Sequence, residues 1–274
     1  GPDSYKTLLL ARSDKVVQTV TVSPTPTAPE PPPSTPWSPI LLSPAFWVNE
    51  SAGTAGSWTD LSNNVRHAVQ ATTNRQPAII SAAQNGLAVR RFDGSNDGLQ
   101  TAAFPLNTQF TVFLMAKSTT GTKFLLEHGA NSNTSDGFFF AGTYANAWNV
   151  RRSGAIHAGP SNSGTDWSGT NYAVLGMTYT TNGNLYKDGV FVAGSDATHT
   201  GTTRSNSSIS ATLNIGTRNN SSNFFNGDIG EILVFSSALN TTEIDLVNGY
   251  LHHKWGLTAN LPSGHPYKIN PPLV

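Results

Sequence analysis

The chain has no cysteine, so no disulfide can staple it and no thiolate can hold a metal. At 274 residues it can bury a core without such staples, and the absence does not fix a compartment. Charge is scarce too: 12% of residues, with Lys+Arg 16 balancing Asp+Glu 16. That balance excludes the basic footprint of a nucleic-acid binder and the acidic tail that would seek a cationic partner. No apolar run is long enough to span a membrane; LLL at residues 8–10 is soon followed by Arg12 and Asp14. No secretory signal pattern is visible, and Gly1-Pro2 fits either a processed end or a tag-cleavage scar. With so few charges, the surface must be made polar by Ser, Thr, Asn and Gly.

What is present divides the chain in three. Residues 1–23 form a candidate anchoring arm, in which KVVQTVTV (residues 15–22) alternates as a strand does. Its apolar residues Tyr5, Leu8, Leu9, Leu10, Val16, Val17, Val20 and Val22 are candidate contacts for a partner protein. Residues 24–39 are proline-rich; proline fixes φ and removes donors, which makes an extended, semi-rigid spacer. An arm and a spacer before a globular region suggest attachment, and an ordinary leader is the alternative. Residues 40–274 carry strand signals punctuated by Gly, Asn, Asp and Ser, among them LAVRRFDG, FTVFLMAKS, KFLLEHG and ATLNIGT. Asn182-Gly183 and Asp188-Gly189 fit tight hairpin turns. Many short strands without alternating helices predict an all-β, antiparallel sandwich or jelly roll.

Near the end, residues 228–235 read as a strand buried on both faces, with Ile229, Leu233 and Phe235 on one and Ile232 and Val234 on the other. A single helix follows. Asn240 and Glu243 form its capping box, Ile244, Val247, Leu251 and Trp255 recur at helical spacing, and Gly256 stops it.

Several segments, in order, carry a family resemblance: WTDLSNNVRHA (Asp60, Leu61, Ser62, Asn63, Asn64 and His67 within it), RFDGSNDGL, NLYKDG and FNGDIGEILVFSSAL. From about Trp37 onward the chain resembles the laminin-G-like members of the concanavalin A-like jelly-roll superfamily. The resemblance implies a jelly-roll β-sandwich with one C-terminal helix behind an extended N-terminal arm. Asn63 stands where the family usually has glycine, and Lys187 where it usually has an apolar residue. The tail GYLHHKWGLTANLPSGHPYKINPP looks like an extension found in phage virion and bacterial surface versions of the fold.

The superfold hosts glycan hydrolases and lyases, so chemistry must be weighed. A retaining glycosidase needs two carboxylates about 5 Å apart. No E-x-D-x-E pattern occurs, and Asp228 and Glu231, at i, i+3 on a regular strand, are expected on opposite faces. Glu231 reads as a scaffold carboxylate satisfying buried donors. His252 and His253 diverge around the helix and cannot chelate together, and His67, His128, His157, His199 and His265 are scattered and expected mostly at surfaces or turns. Calcium, which some relatives bind at a sandwich edge, would find oxygen ligands at Asp93, Asn96 and Asp97, with Asp136 another candidate. The competing reading is an Asx turn made by the same residues. Tyr144, Trp148, Arg151 and Trp167 are candidate glycan contacts, the rings for stacking and Arg151 for hydroxyls; Trp148 fits core packing equally well. Phe46, Trp47, Trp58 and Trp255 read as packing residues.

The resulting expectation is a non-enzymatic virion structural or decoration protein, of a bacteriophage capsid or tail. Its arm would contact other virion proteins in an oligomeric assembly, and its jelly roll would display a glycan-binding surface, without nucleic acid or membrane insertion. The alternatives are a secreted or cell-surface carbohydrate-binding module and an unrecognised glycan-active enzyme.

Overall fold

The structure, a computed structural model, describes residues 6–11, 17–22, 35–51, 53–119, 124–129, 137–141, 148–152, 155–158, 171–180, 183–194 and 209–274. Two compact units divide the chain, Gly1–Thr35 and Pro36–Val274. In the first, strand Lys6–Ala11 pairs antiparallel with Val17–Val22, Leu8 opposite Val20 and Leu10 opposite Gln18. Leu8, Leu9, Leu10, Val17, Val20 and Val22 thus lie on one hairpin, while Tyr5 and Val16 fall outside the described residues. The division falls inside the proline-rich stretch, and Trp37 belongs to the second unit: it is buried and its N–H donates to the Pro272 carbonyl at 3.0 Å.

The second unit is an antiparallel β-sandwich. The first sheet has eight strands. Its hydrogen-bonded order begins at Val190–Gly194 and runs through Gly183–Lys187, Ala173–Tyr179, Phe110–Ser118, Asn226–Phe235 and Leu87–Asp93 to the edge strand Ala78–Gln84. Phe46–Val48 also pairs with the closing strand Asn226–Phe235. The second sheet has nine strands; Phe124–His128 and Leu213–Ile215 are near its middle, and the hairpin Gly53–Thr54 with Ser57–Trp58 is at one edge. Phe104–Leu106 and Ile209–Ala211 form a further small sheet.

Two apolar layers follow from strand alternation. Phe92, Val112, Leu114, Leu175, Leu126, Phe138 and Ile215 fill the space between the large sheets. Phe113, Met115, Val174, Leu233 and Phe235 line the opposite face of the first sheet, where Val247 and Leu251 of the helix Thr241–Lys254 and Trp255 at its C-cap cover them. A sheet apolar on both faces needs such a cover, which is why this all-β unit ends in a helix. The helix starts as its sequence predicts. The Asn240 side chain accepts from the Glu243 N–H at 3.0 Å, and the Glu243 carboxylate accepts from the Asn240 N–H at 2.8 Å.

The closing strand departs from expectation. Ile229, Ile232 and Val234 all face the inter-sheet core, and Leu233 and Phe235 face the helix. A β-bulge causes this: Met115 is opposite Glu231 and Ala116 opposite Ile229, leaving Gly230 as an extra residue. One inserted residue shifts the two-residue alternation by one. Gly230 is required there, because a Cβ would lie 2.2 Å from the Met115 methyl and 2.6 Å from the Trp255 ring.

Candidate functional site

The bulge changes the relation of Asp228 and Glu231. Both now face the helix side of the sheet, not opposite sides, because Gly230 interrupts the alternation between them. Neither is free. Glu231, fully buried, accepts from Trp47 Nε1 (2.8 Å), Trp255 Nε1 (2.8 Å) and the Tyr250 hydroxyl (2.9 Å) and pairs with Lys254 Nζ at 3.0 Å. Burial, and then the negative charge of Glu231, pushes the Tyr250 hydroxyl pKa up. Asp228 takes Arg91 through Nε (2.7 Å) and Nη2 (3.0 Å), the Tyr172 hydroxyl (2.6 Å) and Lys117 (3.2 Å). Burial pushes its carboxyl up, but the bonds from Arg91, Tyr172 and Lys117 outweigh that and hold it below its ordinary value. Glu231 is the scaffold carboxylate the sequence suggested, tying helix to sheet, and Asp228 ties three strands of one face.

The lead-in motif is also scaffold. Asp60 accepts from the N–H groups of Trp47, Ser62 and Arg66 and from the Ser62 hydroxyl, and His67 Nδ1 accepts from the Asp60 N–H. Phe46, Trp58 and Trp255 are buried as expected. His128 is not at the surface: it is buried between Phe104 and Phe138, ring centroids 4.9 and 5.8 Å away, with Nε2 3.2 Å from the Phe104 carbonyl. His265, expected at a surface or turn, is buried as well. An imidazole can pack among aromatic rings as they pack with one another.

At the calcium candidates, Asp93 Oδ1 accepts from the N–H groups of Ser95 (2.8 Å) and Asn96 (3.2 Å), and Asp97 Oδ2 from the Asp93 N–H at 2.9 Å. Burial pushes the Asp97 carboxyl up against that backbone bond. Arg75 clamps this turn to the next loop, reaching the carbonyls of Asn96 (3.3 Å) and Asn220 (2.6 Å). The geometry is an Asx turn held by a cation, and among the described residues no three His, Asp or Glu gather as a metal site. Asp136, Tyr144 and Trp167 lie outside the described residues. Trp148 is registered opposite Phe140 and Arg151 opposite Gly137 on one strand of the second sheet.

A concave feature lies elsewhere among the described residues. A shallow cleft opens between the edge strand Ala78–Gln84 and the hairpin of residues 53–58, lined by Asn49, Glu50, Gly53, Trp58, Ile79, Ala88, Val89 and Arg90. Arg90, only 4% exposed, lies directly opposite Ile79 in the register. Its Nη1 donates to the carbonyls of Thr54 (2.6 Å) and Ala55 (3.4 Å), its Nη2 to that of Ser57 (3.3 Å), and its guanidinium sits 4.8 Å over the Trp58 ring. Burial lowers its pKa to about 10, so it stays cationic at neutral pH. Sequence reasoning passed over Arg90, although a signal was there. Arg90 and Arg91 are successive on one strand and must face opposite sides, so one of them turns inward.

This sandwich matches a laminin-G family model, described as the concanavalin A-like lectin/glucanases superfamily, over residues 92–245, more than half of the chain. The chain belongs to that superfamily. No curated protein matches it. Solved structures similar to it include the binding domain of Paraclostridial Mosquitocidal Protein 1, with TM-score 0.54 and 16% identity over 76% of this chain and 52% of that one. The botulinum neurotoxin serotype D binding domain is similar with TM-score 0.54 and 12% identity, over 76% and 51%. Trypanosoma rangeli sialidase in complex with sialic acid is similar with TM-score 0.52 and 17% identity, over 81% and 36%. The chain spans about half of each toxin domain and about a third of the sialidase. At these identities the superfamily member and these proteins share a fold.

Proposed function

We propose that the chain is a non-enzymatic display module. Its N-terminal hairpin docks onto other proteins of a larger assembly, a virion surface in the favoured reading, and its lectin-like sandwich binds surface glycans. The observation that carries this reading is the separate first unit. A two-stranded hairpin is marginally stable alone in water, and among the described residues its two strands pair only with each other. The saturated state of Asp228 and Glu231 favours binding over hydrolysis, because a carboxylate tied to several fixed donors is a poor nucleophile or proton shuttle.

The test compares the full chain with residues 36–274. The full chain is expected to form oligomers or join its assembly by light scattering, and the truncated one to remain folded and monomeric. Both should bind the same hits on a glycan array. Identical assembly without residues 1–35 removes the docking role, and hydrolysis of any array glycan by the pure protein removes the non-enzymatic one.

A further inference from the structure

We propose that the cleft beside Arg90 takes a carboxylate-bearing sugar residue, its carboxylate toward the guanidinium and its apolar ring face against Ile79. This rests on the glycan-binding reading and names the ligand class and the site.

Charge is the first reason. No carboxylate of the described residues pairs with Arg90, whereas the neighbouring Arg91 is held bidentately by Asp228. A buried cation without a counter-ion is costly unless something satisfies it. Backbone carbonyls take three of its five N–H donors: both on Nη1 and one on Nη2. Among the described residues nothing accepts from Nε–H or from the second Nη2–H. Arg91 uses the same two nitrogens to grip the Asp228 carboxylate, so the chain itself displays the pairing that the cleft lacks.

Shape is the second reason. The cleft is half open to solvent at the sheet edge, so a sugar ring would rest across its mouth with only the carboxylate turned inward. One wall is apolar, with Ile79, 44% exposed on the edge strand, and Ala88 on the same face of the sheet as Arg90. Such a wall matches the C–H face of a ring. Asn49 and Glu50 supply polar groups for hydroxyls, and Glu50 shares Lys254, 2.8 Å away, with Glu231. The acidic group goes to Arg90 and the hydroxyls to this rim.

The experiment titrates the full chain by NMR with D-glucuronate, N-acetylneuraminate, D-glucose and an oligosaccharide ending in glucuronate. Ile79→Asp places a repelling carboxylate at the mouth of the cleft and is expected to leave the melting temperature unchanged. Arg90→Lys keeps the charge but removes the fork. At least one of the two acids, free or at a chain end, is expected to bind about tenfold more tightly than glucose, and Ile79→Asp to weaken it by about the same factor. Binding by the oligosaccharide alone identifies a glycan end as the ligand, and equal binding of the free acid identifies a free sugar acid. If Arg90→Lys does not fold, Ile79→Asp decides. Equal affinity for glucose and the acids, or acid binding indifferent to Ile79→Asp, overturns the assignment while array hits leave glycan binding standing. Absence of binding to any sugar, acidic or neutral, overturns both.

Discussion

Glu231 shows how much of this fold hangs on single polar side chains. Its carboxylate gathers two indole N–H groups, a phenol and an ammonium, which come from the helix and from the strand Phe46–Val48. Glu231→Ala would leave those donors buried without an acceptor, and a loss of about 3–5 kcal/mol is expected in urea unfolding. At Asp228 the folded carboxyl lies below its ordinary value. Its contribution is therefore complete above about pH 4 and is lost as pH falls through the lower folded value. Asp228→Asn should flatten the acid limb of the stability curve, read as unfolding midpoint against pH. His265 carries the same sign at milder pH. Burial lowers its pKa, its Nδ1 accepts from the Tyr267 N–H, and its Nε2 lies 3.5 Å from Asp245. A proton on Nδ1 would displace that acceptor role. Stability from this group is full above about pH 6.5 and falls as pH drops toward the lower folded value. His265→Gln should lose less stability than the parent between neutral pH and pH 5.

Among the elements, the closing strand is the most informative. Its apolar residues are legible in the sequence, and so is its burial on both faces. Its face assignment is not, because a bulge is set by the partner strand: Met115 and Ala116 skip Gly230. Glycine in a strand is a hint of such a bulge, but the clash that makes it obligatory comes from Met115 and Trp255, far away in sequence. Gly230→Ala is expected to cost about 1–3 kcal/mol by overpacking, measured by chemical denaturation. The helix needed no such help. Its capping box is a local code, and Asn240→Ala should cost about 1 kcal/mol of stability on the same measurement. Hairpin turns are local too. Asp188 and Gly189 both have positive φ, as a primed turn requires, and so do Asn85 and Gly86, a turn equally legible that sequence reasoning passed over.

At the scale of the whole molecule, the sandwich closes on itself. Pro36 forms an antiparallel bridge with Leu273, so the first and last residues of the second unit meet. Residues 36–274 are therefore expected to keep their circular dichroism spectrum and thermal midpoint when residues 1–35 are removed. A midpoint that falls on truncation would show that the hairpin contributes to the sandwich. By itself the sequence determined the fold class, the terminal helix and the superfamily, because alternation, turn residues and caps act over a few neighbours. Only the tertiary structure decided that Asp228 and Glu231 share a face, that His128 and His265 are buried, and that Arg90 reaches a cleft where no carboxylate of the described residues pairs with it. Those facts depend on register and on contacts between residues distant along the chain, and one inserted glycine is enough to reverse the first of them.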